Sequence, residues 1–134
     1  MRQVFVDTFY WIARINPRDQ WHQKAVELSA SLDDAALFTT DTVLIELLNY
    51  FSEYGPEMRE AVARIVRRIV ADPNITVFAY TYEIADGLDL FEARLDKGYS
   101  MTDCISMNIM RRVGAVEVLT HDRHFAQEGF IILL

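Results

Sequence analysis

The chain has 134 residues, enough for one domain with a substantial core, and 51% of them are apolar. Thirteen Lys and Arg stand against 20 Asp and Glu, and a formal charge of −7 excludes a uniformly basic surface that grips polyanions by bulk electrostatics. A single cysteine, Cys104, excludes a disulfide framework and a thiolate zinc site, and no apolar run approaches the ~20 residues of a membrane span.

In chain order, residues 3–7 form a β-branched and aromatic run that predicts a strand, and residues 8–15 predict a helix stopped by Asn16-Pro17. Asp19 is positioned to cap a second helix reaching about Leu32, with Trp21, Ala25, Leu28 and Leu32 toward the core. Residues 36–40 read as a second strand and 42–54 as a helix. Gly55-Pro56 breaks it, and 57–71 form another helix with Val62, Ile65, Val66, Ile69 and Val70 on one face, so the pair predicts a helical hairpin. After the turn Asp72-Pro73-Asn74, residues 75–79 predict a third strand and 81–96 a helix with the stripe Ile84, Leu88, Phe91 and Leu95. Lys97-Gly98-Tyr99 interrupts the chain, 102–113 form a helix closed by Gly114, and 116–120 and 130–134 complete five strands. Strands alternating with helices imply right-handed crossovers and a single α/β domain over residues 1–134, a three-layer α/β/α arrangement around a five-stranded, mostly parallel sheet. The expectation is a complete, untargeted soluble domain of the reducing cytoplasm, with no membrane association.

Four acids occupy the ends and beginnings of these elements. Asp7 follows Val4-Phe5-Val6, Glu46 lies inside the apolar stretch 43–48, Asp103 follows Ser100-Met101-Thr102, and Asp122 follows the strand at 116–120. Each has a structural explanation. Asp7 can cap the next helix, Ser100 and Asp103 make a capping-box pattern, and Asp122 can form a turn. Glu46 interrupts an apolar helix, where Thr42, Glu46, Asn49 and Glu53 form a narrow polar stripe that faces either solvent or a wet cleft. Taken together, carboxylates at strand carboxyl ends and a helix start point to the crevice where open α/β sheets bind ligands, and to a site for a hard divalent cation.

The order and spacing of these segments resemble the PIN-domain nucleases, especially single-domain toxins of VapBC type, over nearly the whole chain. Val4-Phe5-Val6-Asp7-Thr8 resembles the first-strand motif, Leu44-Ile45-Glu46-Leu47-Leu48-Asn49 the helix acid, Ser100-Met101-Thr102-Asp103 the third motif, and Leu119-Thr120-His121-Asp122 the fourth. Asp122-Arg123-His124-Phe125 and Gly129-Phe130 resemble the usual ending. The resemblance implies a sheet of order 3-2-1-4-5, with Asp7, Glu46, Asp103 and Asp122 as catalytic, metal-binding acids for Mg²⁺ or Mn²⁺. It implies hydrolysis of RNA phosphodiester bonds, a VapB-type antitoxin partner wrapping the helical hairpin, and a homodimer. Thr8, Asn49, Arg94, Thr120 and Arg123 are the candidate substrate contacts.

A nuclease is compatible with the acidic charge, because metal ions neutralise its acids and a local arginine patch can reach phosphate. Arg64, Arg67, Arg68, Arg111 and Arg112 otherwise read as solvated or dipole-compensating, and Phe9, Tyr10 and Trp11 as core or interface. His22, His124 and Cys104 lack zinc-site spacing and read as structural. A receiver or haloacid-dehalogenase-type domain also carries an Asp after strand one, but Phe9 stands where the latter places its second Asp. The glycines at 55, 87, 98, 114 and 129 are too scattered for a phosphate loop. The remaining alternative is a binding module with a weak site that acts through a protein or RNA partner.

Overall fold

The computed structural model describes residues 1–79 and 83–134. The elements are β1 (Arg2–Val6), α1 (Thr8–Ile15), α2 (His22–Ser29), β2 (Ala35–Thr40), α3 (Asp41–Tyr50), α4 (Pro56–Ala71), β3 (Ile75–Phe78), α5 (Ile84–Ala93), α6 (Met101–Val113), β4 (Glu117–Leu119), α7 (Arg123–Gln127) and β5 (Ile131–Ile132). All five strands are parallel and lie in the order β3-β2-β1-β4-β5, as the resemblance implies. β1 is central. Strand order reverses there, so the chain leaves β1 toward β2 in one direction and reaches β4 in the other.

The two-residue period of a strand divides the core between the two faces of this sheet. Phe5 and Val118, paired across β1 and β4, face Ile105, Ile109 and Phe125 of α6 and α7. Val4, Val6 and Leu119 face the other way, toward Tyr10, Ala13 and Ala25 of α1 and α2. A third cluster of Ile12, Leu47, Phe51 and Val62 fastens the α3–α4 hairpin to α1. α6 is the most deeply buried helix. It opens with the reciprocal Ser100–Asp103 capping box and closes at Gly114, whose φ of 75° lets the Gly114 and Ala115 amides reach back to the last carbonyls.

Four sequence expectations change. Asp19 does not cap α2: its Oδ1 accepts from the Trp21 amide, closing a turn one residue before the helix, and Trp21 is the flanking residue. α3 ends at Tyr50, leaving Glu53 in the turn beyond it. Val70 is exposed on α4, because α4 packs on α3 through Val62 and neighbours rather than along its whole apolar side. On α5 the stripe Ile84, Leu88 and Phe91 is solvent-facing, Leu95 lies exposed beyond the helix end, and the packed face carries Gly87 and Leu90. At Gly87 an added Cβ would lie 2.8 Å from Met101 Cε and 2.9 Å from Ile105 Cγ1, so the close approach of α5 to α6 depends on the missing side chain. The start expected for this helix at Thr81 lies outside the described residues. α7, a single helical turn after Asp122, was not anticipated as an element.

Candidate active site

β1 and β4 end side by side, with Val6 opposite Leu119, so the residues that follow them are brought together by the sheet itself. Asp7 and Thr120 are those residues. Thr120 Oγ1 donates to Asp7 Oδ2 at 2.8 Å and accepts from the Asp122 amide at 3.1 Å, so one hydroxyl fixes the first acid and the loop carrying the last. Asp7 stands at the N-cap position of α1 but its carboxylate makes no capping bond. It is aimed elsewhere.

α6 delivers Asp103 from its first turn. Asp103 Oδ2 accepts the Ser100 amide at 3.1 Å while Ser100 Oγ accepts the Asp103 amide at 3.0 Å. Asp122 Oδ1 in turn accepts the His124 amide at 3.0 Å and starts α7. Capping and turn formation therefore hold for both residues, but each uses one carboxylate oxygen and fixes the position of the other. Glu46 comes from α3, across the hairpin side. It is exposed in the sense that solvent reaches it, and it lines the same cleft.

That cleft, of about 370 Å³, is lined by all four acids together with Thr8, Ser100 and His124, and walled by Phe9, Ile12 and Tyr50. Among the described residues no lysine or arginine lines it. The electrostatic consequence is direct. Burial, and then the charge of Asp103, push Asp7 up to about 8, against hydrogen bonds from Thr120 and the Thr8 amide, with Glu46 adding to the rise. Burial also raises Asp103, with Asp122 contributing, against the Ser100 amide and His124. Like charges converge in a poorly solvated cleft without a cationic side chain, and hard carboxylate oxygens are the donor set suited to Mg²⁺ or Mn²⁺. The residues fit a divalent ion. Thr8 agrees: its buried Oγ1 has no partner, and the residue lines this cleft.

The remaining candidates separate. Thr8 and Thr120 are at the cleft or directly behind it. Arg123 is exposed beside Asp122. Asn49 faces a different groove, between α3 and α4. Arg94 bonds Glu128 at 2.7 Å, on the α5–α6 side. A wider hollow of about 600 Å³ lies there, but its arginines are paired, Arg94 and Arg111 with Glu128, and Arg112 with Glu83 and Asp86. Sequence reading set His124 aside as structural, yet its Nδ1 is 3.4 Å from Asp103 and 3.5 Å from Asp122. Its signal was the Asp122-Arg123-His124 spacing, which has meaning only once α7 is known to begin there. His22 and Cys104 do fit the structural reading: His22 Nδ1 meets the Ala13 carbonyl at 2.6 Å, and Cys104 is buried, its thiol pushed up to about 11 by burial.

A parallel 3-2-1-4-5 sheet whose central strand ends at the acidic cleft is a PIN-like fold, and the chain resembles the PIN-domain nucleases. Within that class the likeness is to VapC-type toxins. Mycobacterium tuberculosis VapC20, a toxin that cleaves the sarcin-ricin loop, is 28% identical, with a TM-score of 0.81 over 96% of both chains. FitAcB from Neisseria gonorrhoeae (11% identity, TM-score 0.73, 98% of this chain and 96% of that one) and PAE2754 from Pyrobaculum aerophilum (15%, 0.61, 98% and 90%) share the fold. No family model and no curated protein matches the sequence.

Proposed function

We propose that this chain is a divalent-metal-dependent endoribonuclease acting in the cytoplasm, the toxin of a type II toxin–antitoxin pair. The observation that carries the reading is the convergence of Asp7, Glu46, Asp103 and Asp122 on one cleft that no lysine or arginine lines among the described residues. The likeness to VapC20, which cleaves RNA, supports the substrate class. Mg²⁺ or Mn²⁺, when bound, supplies Lewis-acid polarisation of a phosphate and a more acidic water for in-line attack. Asp7, Asp103 and Asp122, with Glu46 reaching in from α3, would hold the ion, and Thr120 keeps Asp7 oriented. Thr8, whose buried hydroxyl lacks a partner, lines the same cleft, and Arg123 offers a positive charge beside Asp122.

Exposed Ile45, Leu48, Tyr50 and Tyr54 on the α3–α4 hairpin support a small antitoxin seated there and reaching the adjoining cleft. The outward stripe of α5 supports pairing of two copies. The deciding experiment is cleavage of labelled single-stranded RNA with Mg²⁺ or Mn²⁺, with EDTA, and by Asp7→Asn and Asp103→Asn. The expected result is cutting that needs both the ion and the two acids. Cutting that survives chelation and both substitutions would overturn the reading.

A further inference from the structure

The His124 ring stands in the cleft on a long hydrogen bond to Asp103, with Asp122 almost as near. Its Nδ1 lies 3.4 Å from Asp103 Oδ2 and 3.5 Å from Asp122 Oδ1. A charge-assisted N–H···O bond is ~2.7–2.9 Å, so the hydrogen bond from His124 to Asp103 is a long one, and the nitrogen sits between two carboxylates without closing tightly on either. One donor atom from each of Asp103, Asp122 and His124 can be chosen so that all lie within 4.8 Å of one another, a spread that a single ion can span with small adjustments. The residue is held in this position from several sides. The His124 amide is tied to Asp122 Oδ1, the next residue, Phe125, is wholly buried, and the Tyr99 ring packs against the imidazole with centroids 5.2 Å apart. An independent sign that the cleft takes a ligand is the buried, unpartnered hydroxyl of Thr8.

We infer that His124 Nδ1 is a nitrogen ligand of the ion held by Asp103 and Asp122, and that it turns the site's preference from Mg²⁺ toward a transition divalent cation. This rests on the metal-nuclease reading and sharpens its cofactor. Carboxylates alone suit Mg²⁺ and Mn²⁺ about equally well, whereas an imidazole nitrogen adds little for hard Mg²⁺ and favours first-row transition ions. The ligand set Asp103, Asp122 and His124 is thus a mixed nitrogen–oxygen site in an otherwise all-oxygen cleft.

Mn²⁺ is the probe. Pulsed electron paramagnetic resonance of Mn²⁺ bound to the full chain is expected to show a ¹⁴N coupling that disappears in His124→Asn and persists in His121→Asn, whose ring is instead stacked on Trp21 at 4.8 Å. Competition between the two ions should show Mn²⁺ affinity falling about tenfold in His124→Asn and Mg²⁺ affinity changing much less, so the preference ratio drops. Absence of nitrogen coupling in the unsubstituted protein, which needs no variant to fold, overturns the inference, as does an unchanged ratio. Nitrogen-coupled Mn²⁺ in a chain that leaves every RNA intact would keep the ligand and overturn the nuclease reading. Failure of Mn²⁺ to bind at all would overturn both.

Discussion

Two buried acid clusters in this molecule meet opposite fates. Glu128, its side chain 6% exposed, receives Arg94, Arg111 and the Tyr99 hydroxyl. Burial pushes it upward, but the arginine bonds more than reverse that and hold it at about 2. Asp7 is more deeply buried, receives the Thr120 hydroxyl and the Thr8 amide but no cation, faces two further acids, and is pushed up to about 8. The same carboxyl group is a fastener in one place and an unsatisfied charge in the other. What differs is whether the chain supplies its own cation. Where it does, the cluster stabilises the fold by itself. Where it leaves the cation out, stability is given up for a site that an ion from solution can complete.

The comparison is tested most severely by activity. Asp7→Asn or Asp103→Asn is expected to reduce metal-dependent RNA cleavage by ~100-fold or more, while Glu128→Gln, in protein confirmed folded, retains most of it. Rates under single-turnover conditions check this. Equal losses at the two clusters would remove the distinction between them.

Stability should then move in opposite directions. Asp7 titrates at about 8 when folded and at ~3.9 when unfolded, so between those values the folded chain keeps a proton that the unfolded chain has lost. Its contribution is fully present below about pH 4, falls as pH rises through that window, and is flat above it. Asp7→Asn should therefore stabilise metal-free protein at pH 9, by roughly 2–5 kcal/mol, and hardly at all at pH 4. Glu128 is the reverse case. Its depressed value contributes stability above about pH 4.5 that is lost as pH falls toward 2. Glu128→Gln should cost ~1–3 kcal/mol at pH 7, moderated because Arg94 and Arg111 are 37% and 44% exposed, and the cost should shrink near pH 2. Thermal melts of both variants across pH, in EDTA, measure this. Mn²⁺ should then raise the melting temperature of the unsubstituted chain more than that of Asp7→Asn.

These two clusters also show how far the sequence could be read. The strands were legible from short β-branched runs, and once β1 and β4 are neighbours the meeting of Asp7 with Thr120 and Asp122 follows. Asp103 was legible because its capping box fixes the start of α6. Glu128 carried no signal, since nothing local links it to arginines 17 and 34 residues away. The α5 stripe misled for a related reason. Helical periodicity identifies an apolar face without saying what covers it, and the face that packs is chosen by the absence of a side chain at Gly87. His124 was missed because a one-turn helix is too short to show a period, and its position is set by the cap at Asp122 rather than by its own neighbours.

The smallest expected effect discriminates most finely, because it leaves every acid in place. Thr120 is wholly buried and does two things with one hydroxyl: it donates to Asp7 Oδ2 and accepts the Asp122 amide. Thr120→Val keeps the shape and removes both bonds. In metal-free protein near neutral pH Asp7 is largely protonated, so little ion stabilisation is lost, and the orphaned Asp122 amide should dominate at ~1 kcal/mol. With metal the lost donor matters more. Asp7 must ionise to bind, its pKa now higher still, and its carboxylate is free to turn, so Mn²⁺ affinity should fall ~10-fold. Raising the pH to 9 should recover the part of that loss due to protonation and leave the part due to orientation. Calorimetric titration of Mn²⁺ at the two pH values separates them. Full recovery would mean that Thr120 only tunes the charge of Asp7, and no recovery that it only aims it.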